Sequence, residues 1–173
     1  MTQDDDASAG PASVSAPPAR WSLLLGVANA VVAIDQLTKW WASEALRDGR
    51  IIEVFWTLQF RLVINTGSAF SLAQGRGALL SLLALGIVVV LLRSGRSATT
   101  VASALGFGLV VGGALGNLID RLFRKGDGFL AGGVVDFVDL QWWPVFNVAD
   151  AAIVTGALVL FSRGLGRSPA GEG

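Results

Sequence analysis

Apolar residues gather in four long segments that are separated by short polar stretches. The segments cover residues 21–41, 77–92, 98–119 and 148–161. A helix needs about 20 residues to cross the hydrocarbon core of a bilayer, and uninterrupted apolar runs close to this length are typical of membrane spans. The second and fourth segments are slightly short and need a few flanking residues to complete a crossing. The pattern therefore predicts an all-α membrane protein with four transmembrane helices.

Between the first two segments the pattern changes to alternation. In "IIEVFWTLQFRLVI" the even positions from Ile52 to Ile64 are all apolar, and the polar residues fall at odd positions. Period two is typical of a strand or hairpin with one apolar face. We expect a small extramembrane β-ribbon at about residues 50–64. Two interpretations stay open: the ribbon covers the helix bundle, or it lies on lipid headgroups and shapes access to a site.

Both ends of the chain differ from the apolar segments. Residues 1–20 are acidic and rich in Pro, Ala and Ser, which predicts a disordered N-terminal tail. They lack the basic region that precedes the apolar stretch of a cleaved signal peptide. We expect the membrane domain to occupy residues 21–165, followed by a flexible tail at 166–173.

Two regions of the chain are rich in glycine. Gly108, Gly112 and Gly116 recur every four residues in the third segment, a spacing that lets another helix backbone come close. The stretch 122–134 is also rich in glycine, which favours a loop able to move over a neighbouring site.

Composition supports a membrane protein and narrows the chemistry. The chain is 53% hydrophobic and only 15% charged, which is unusual for a soluble domain of 173 residues. Its net charge is zero, so we expect no nucleic-acid partner. It has no His, Cys or Tyr, which excludes a Ser-His-Asp triad, a cysteine nucleophile and His- or Cys-ligated zinc. We expect neither a metal nor a cofactor, and any catalysis must come from other side chains.

The polar residues of the apolar segments collect on one side of the membrane. Successive spans alternate in direction, so the end of the first and third segments meets the start of the fourth. These ends, and the loops beside them, carry ionisable and amide side chains: Asp35, Lys39, Asn117, Asp120, Arg121, Asp136, Asp139, Asn147 and Asp150. Ionisable groups at membrane depth are costly and indicate a functional site.

Structural explanations exist for individual members of this set. Asn147 is a suitable N-cap residue, with Asp150 at the third helical position, where it favours the helix dipole. Asp35 and Lys39 are four residues apart and suit a simple ion pair. If each of these residues had only a structural role, their gathering on one side of the membrane would be several independent coincidences. A single functional cluster explains the gathering at once.

A pair of neighbouring carboxylates is sufficient for hydrolysis. Two such groups cannot both ionise cheaply, so one keeps a proton while the other takes a proton from water. The residues alone do not choose between Asp136 and Asp120 as the first member of such a pair. Three rival functions also stay open: a proton-coupled transporter or channel, a non-catalytic scaffold, and a Ser-Lys hydrolase that would pair Lys39 with Ser68 or Ser71.

Five blocks of the sequence together resemble one family. They are "DQLTKWW" (35–41), "NTGSAFS" (65–71), "GGALGNLIDR" (112–121), "VVDF" (134–137) and "FNVADAAI" (146–153). In order and spacing they are similar to the blocks of lipoprotein signal peptidase, or signal peptidase II. The resemblance implies a four-span aspartic endopeptidase of the bacterial inner membrane. It would remove the signal peptide from prolipoproteins by cleaving before a diacylglyceryl-modified cysteine.

The resemblance also implies roles for single residues. Asp136 and Asp150 match the catalytic pair. Asn65, Asn117 and Arg121 match positions that line the substrate pocket. Supporting roles fall on Asp35, Lys39, Asp120 and Asn147. The family's topology implies cytoplasmic termini and an active site at the outer face, with prolipoproteins and membrane lipids as partners, and we expect a monomer.

Overall fold

The structure is a computed structural model that describes residues 19–67, 76–96, 98–126 and 128–165. Of the predicted tails, only residues 19–20 fall within these ranges, where they begin the first helix. Ser68 and Ser71 also lie outside the described residues. The described residues form four α-helices, one 3-10 turn at Arg47–Gly49 and three strands. In chain order they are α1 (Ala19–Ala45), β1 (Ile51–Phe55), β2 (Leu58–Asn65), α2 (Arg76–Gly95), α3 (Val101–Phe123), β3 (Val134–Asp139) and α4 (Val148–Leu165).

Each predicted apolar segment lies within or largely overlaps one of the four helices. By length and composition, α1 and α3 are sufficient to cross a membrane, whereas α2 and α4 contain shorter apolar stretches at 81–95 and 148–162. The mostly helical fold is therefore confirmed. The number of spans stays a prediction.

The sheet is larger than the predicted ribbon. β1 and β2 form the expected antiparallel hairpin, and β3 pairs with β2 to give a three-stranded antiparallel sheet in the order β1-β2-β3. The prediction of a loop around Asp136 and Asp139 was wrong, because both residues belong to β3. Val134 to Phe137 are all buried, so neither face of this strand shows the alternation by which a half-buried strand is recognised.

The sheet packs on the end of α1. Ala42 and Leu46 of this region form a buried cluster with Val135 and Phe137 of β3. The even-position side chains Ile52, Phe60 and Leu62 pack against the cluster. This part of the ribbon therefore covers the bundle, while Trp56 at the hairpin tip is 88% exposed.

Helix α3 packs closely against α1 and α4 through its glycines. A Cβ atom on Gly112 would lie 2.7 Å from the carbonyl oxygen of Ala28 in α1. Gly113 faces the other way and meets the carbonyl oxygen of Ala149 in α4. The close helix approach expected from the glycine spacing is confirmed, and it brings the ends of α1, α3 and α4 together.

The glycine-rich stretch after α3 is tied to its surroundings. The backbone N–H of Gly132 donates to the carbonyl oxygen of Arg121 at 3.1 Å. Ser81 of α2 donates to the carbonyl oxygen of Leu130, which is buried. A Cβ on Gly132 would lie 2.6 Å from the carbonyl oxygen of Asp120, so close packing requires this glycine. Motion of the loop over the site stays a prediction.

The packing of α3 predicts the effect of adding one methyl group. Gly112→Ala should lower the free energy of unfolding by about 1–3 kcal/mol, because the new Cβ overlaps the backbone of α1. Thermal unfolding in detergent, followed by circular dichroism, measures the change.

Gly86 in α2 provides the matched control. Its Cβ position meets no atom within 4 Å, so Gly86→Ala should be neutral or should raise stability by up to about 1 kcal/mol. Equal stability of the two variants would contradict the packing argument.

Candidate active site

Asp136 is a buried carboxyl group held by amides. It lies within β3, is 2% exposed and accepts a hydrogen bond at each oxygen. Asn65 at the end of β2 donates to Oδ2 at 3.0 Å, and Asn147 donates to Oδ1 at 2.7 Å. Burial raises the pKa of Asp136 to about 6, although the Asn65 hydrogen bond opposes the rise. The site therefore contains a carboxyl group that keeps its proton to a higher pH than an ordinary aspartic acid does.

Asp150 is fixed by the N-terminus of its own helix. Its backbone N–H donates to Asn147 Oδ1 at 2.9 Å, and its Oδ2 accepts from the backbone N–H of Asn147 at 3.2 Å. This reciprocal pair is a capping box. Oδ1 of Asp150 accepts from the side-chain amide of Asn117 in α3 at 2.8 Å. The predicted capping role is thus confirmed, and it leaves the carboxylate facing the site.

Asn147 connects the two aspartates. It is fully buried, and its Nδ2 is within hydrogen-bonding distance of Asp136 Oδ1, of Asn117 Oδ1 and of the carbonyl oxygen of Val135. Its Oδ1 caps α4 by accepting from Asp150. One amide therefore sets the strand that carries Asp136 against the helix that carries Asp150.

Both aspartates line one cavity of about 280 Å³ between α2, α3, β3 and α4. Polar atoms from Asn65, Asn117 and Arg121 share its wall with the two carboxyl groups. Ser81 also lines the cavity, and the other lining residues are apolar: Ala84, Ile87, Val110, Ala114, Leu118, Val134 and Ile153. Within the described part of the chain, the buried Nη1 of Arg121 has no hydrogen-bond partner. This nitrogen is available to an acceptor on a bound molecule.

A buried lysine lies behind the cavity. Lys39 in α1 is 0% exposed, and its Nζ lies 2.8 Å from Asp35 Oδ2 and 3.1 Å from Asp120 Oδ2. Nζ also donates to Asn117 Oδ1 at 2.9 Å. A buried charge is tolerated only where such partners surround it. The predicted pair of Asp35 and Lys39 exists, but it is part of a larger cluster.

Each carboxylate of this cluster also fixes a second element. Asp35 Oδ1 accepts from the backbone N–H of Ala149 in the first turn of α4 at 2.9 Å. Asp120 Oδ2 accepts from the backbone N–H of Val135 in β3 at 3.1 Å, and Oδ1 pairs with Arg124 at 2.9 Å. The cluster therefore holds the two elements that carry the catalytic candidates.

The structure brings all nine sequence-predicted site residues into one connected region. Five line the cavity: Asn65, Asn117, Arg121, Asp136 and Asp150. Asp35, Lys39, Asp120 and Asn147 lie directly behind it. Asp139, which the sequence placed in the same polar layer, lies elsewhere. Hydrogen bonds from Gln59 and Arg61 lower its pKa, and it caps the backbone of Gln141.

Two members of the region were missed by the sequence interpretation. Gln36 donates to the carbonyl oxygen of Gly116 at 3.1 Å and also contacts Asp35 and Asp120. Arg124 pairs with Asp120 one helical turn away. Both were detectable in principle, because Gln36 follows Asp35 directly and Arg124 is four residues after Asp120.

The two aspartates differ from the acids behind them in the kind of partner that they have. Within the described residues, Asp35 and Asp120 pair with cations, whereas Asp136 and Asp150 accept hydrogen bonds from neutral amides and form no ion pair. A cationic partner would favour the ionised form strongly, whereas an amide leaves protonation open. The geometry therefore suits acid–base chemistry by Asp136 and Asp150.

Comparisons with known proteins show similarity to one family. The family model described as signal peptidase (SPase) II matches residues 27–165. The lipoprotein signal peptidase of Rhodococcus jostii RHA1 is 48% identical over 163 residues, which cover 91% of this chain and 79% of that protein. The lipoprotein signal peptidase of Mycobacterium tuberculosis H37Rv is 44% identical over 162 residues, covering 92% and 80%.

Two solved structures have a similar fold. Each is a bacterial membrane enzyme with a TM-score of 0.74 to this chain. One is 25% identical and covers 85% of this chain and 95% of its own, and the other is 26% identical and covers 88% and 93%.

The burial of Lys39 predicts a large effect on stability. Lys39→Met should lower the free energy of unfolding by about 3–5 kcal/mol, because it leaves two buried carboxylates without their shared cation. Chemical denaturation in detergent micelles measures this value.

Arg47 supplies the control. Its ion pair with Glu44 is more than half exposed on both sides, so Arg47→Met should change stability by less than about 1 kcal/mol. A loss of similar size in both variants would show that burial of the ion pair is not what matters.

Proposed function

The chain belongs to the signal peptidase II family, and on this premise we propose that it removes signal peptides from prolipoproteins with an Asp136–Asp150 pair. Members of this family are membrane proteases. The proposal adds the catalytic pair, the cleavage site before a diacylglyceryl-modified cysteine, and the mechanism. The observation that carries it is the position of two carboxyl groups, from different elements, on the wall of one cavity. Both are hydrogen-bonded to Asn147, Asp136 through the side-chain amide and Asp150 through the backbone N–H.

The substrate fits the division of the cavity into apolar and polar parts. The signal peptide enters as an apolar segment along the side formed by α2, α3 and α4, where Ala84, Ile87 and Val110 lie. The diacylglyceryl chains stay in the bilayer and hold the cysteine at the membrane edge. Because the signal peptide and the diacylglyceryl chains are both held, the depth of the scissile bond in the membrane is fixed. This positioning contributes to the rate.

The polar part of the cavity suits the peptide backbone. Asn65 and Arg121 lie beside the two carboxyl groups, and the Nη1 atom of Arg121 has no partner within the described residues. In the bound state this nitrogen donates to a substrate carbonyl oxygen. Such a contact orients the scissile amide without taking part in the proton transfers.

The reaction needs one proton shared by the pair. Asp136 holds it, because burial raises its pKa, and Asp150 at the helix N-terminus acts as the base. Water attacks the carbonyl carbon and gives a proton to Asp150, while Asp136 protonates the carbonyl oxygen. The tetrahedral gem-diol collapses as Asp150 gives its proton to the leaving nitrogen and the C–N bond breaks, while a hydroxyl of the gem-diol returns a proton to Asp136. The pair ends with one proton, and no acyl-enzyme forms.

We place the protein in the bacterial inner membrane as a multi-pass enzyme. Its termini would be cytoplasmic and its active site would lie at the outer face, in accord with the single polar side of the bundle. A monomer is sufficient for this mechanism, since all the residues named come from one chain. Accessibility labelling of single cysteines in intact cells would test the orientation.

Replacement of either aspartate should abolish cleavage. Asp136→Asn and Asp150→Asn should each lower kcat about 100-fold or more, because an amide can neither hold the shared proton nor take one from water. The assay uses the purified protein with a synthetic precursor that carries a diacylglyceryl cysteine, beside the unmodified precursor. The wild-type protein should cleave only the modified one.

Asp48 offers a matched control for this substitution. It is exposed on the 3-10 turn with a φ of 62°, a conformation that asparagine also adopts readily. Asp48→Asn should therefore keep full activity. Retained cleavage in either Asp136→Asn or Asp150→Asn would remove the catalytic assignment.

The pKa of Asp136 predicts the alkaline side of the pH profile. When Asp136 loses its proton it can no longer protonate the carbonyl oxygen, so kcat/KM should fall as the pH rises through about 6. The Asn65 hydrogen bond lowers this pKa, so Asn65→Leu should raise it and move the alkaline limb to higher pH. An alkaline limb that stays in place, or moves to lower pH, would show that Asp136 is not the acid.

A further inference from the structure

Lys39 contacts the site without being part of its surface. It is fully buried, does not line the cavity and has no hydrogen bond to Asp136 or Asp150. Within the described residues, its hydrogen bond to the cavity wall is the 2.9 Å bond to Asn117. Asp35 and Asp120 accept from two of the three N–H groups of the ammonium, and the third donates to this amide.

That bond determines which way the Asn117 amide faces. An ammonium group donates hydrogen bonds and accepts none, so the atom that meets Lys39 must be the carbonyl oxygen Oδ1. Asn147 donates to the same oxygen at 3.1 Å. With Oδ1 directed towards two donors, the NH2 group of Asn117 must point the other way, where it meets Asp150 Oδ1 at 2.8 Å.

We propose that Lys39 is a positioning residue, which holds the Asn117 amide in the orientation that donates to Asp150. The proposal rests on the function proposed above. Without Lys39 the amide loses the charged one of the two donors that select this orientation, and a turned amide would place its own oxygen against the carboxylate of Asp150. Repulsion between these acceptors would displace the carboxylate from the water that it activates.

The effect belongs to the chemical step and not to substrate binding. Lys39 lies behind the cavity wall, so its replacement leaves the binding surface unchanged. A displaced base lowers kcat, because proton transfer requires the acceptor within hydrogen-bonding reach of the water. KM should stay close to the wild-type value.

The test is a double-mutant cycle between Lys39 and Asn117. The Lys39 change is made as the pair Asp35→Asn and Lys39→Met, which removes one charge of each sign and leaves Asp120 paired with Arg124. This pair of substitutions, Asn117→Ala, and all three together are assayed on the diacylglyceryl-modified precursor. Correct folding of each variant is confirmed by circular dichroism and thermal unfolding.

We expect strongly non-additive losses. The charge-balanced pair should lower kcat about 100-fold, as expected for a misplaced catalytic group, with KM unchanged. In the Asn117→Ala background the same pair should cause little further loss, because the amide through which Lys39 acts is absent. A general weakening of the fold would instead multiply the two losses, and that result would overturn the proposal.

A glutamine variant tests the hydrogen bond itself. Replacing the methionine by glutamine, as Asp35→Asn with Lys39→Gln, restores an N–H donor and should recover part of kcat. Arg47→Met removes an exposed cation that pairs with Glu44 outside this cluster, and it should keep kcat. Equal kcat for the glutamine and methionine variants would contradict the proposal.

The result separates this proposal from the proposed function. Failure of the wild-type protein to cleave the modified precursor would refute the function itself. A wild-type enzyme that cleaves, with additive losses in the cycle, refutes only the positioning role. If no Lys39 variant folds, Lys39 is a determinant of folding and the positioning role is refuted.

Discussion

The buried ammonium group of Lys39 is the constraint on which the rest of the site depends. Removing an ammonium from water costs several kcal/mol, and the cost is offset only when acceptors surround it closely. Lys39 obtains these acceptors from Asp35 on its own helix and from Asn117 and Asp120 on α3. The ends of α1 and α3 must therefore meet, and the glycines of α3 permit the approach. Each acceptor also forms a hydrogen bond to another element: Asp35 to α4, Asp120 to β3 and Asn117 to Asp150. The buried charge is therefore linked to the positions of all three.

The hydrogen bonds run in one direction from this charge to the catalytic candidates. Lys39 donates to the Asn117 oxygen, and the Asn117 nitrogen donates to Asp150. Asn147 donates to Asp136 from one side of its amide and caps α4 with the other. Amides are suited to this arrangement because each carries a donor and an acceptor at a fixed separation. Both carboxyl groups are held in place without a cation, which would fix them in the ionised form.

The sequence predicted those parts of the site that have a local cause. The capping box of Asn147 and Asp150 follows from residues three apart at a helix start, and the ribbon follows from alternation over residues 51–64. β3 was not predictable in the same way, because it is covered on both faces and its polarity does not alternate. The choice between Asp120 and Asp136 also failed on local evidence, since both lie on the same side. The resemblance to a known family supplied that choice.

Tertiary partners supply a physical reason for the same choice. Asp120 contacts Lys39 and Arg124, so loss or gain of its proton would disturb a buried charge balance. Within the described residues, Asp136 accepts hydrogen bonds from two amides and forms no ion pair, and burial raises its pKa to about 6. Of the two buried acids, only the one without an ion pair can exchange a proton near neutral pH at small cost. In a cluster of this kind, ion pairs identify the acids that hold the structure, and the buried acid without an ion pair is the candidate for proton transfer.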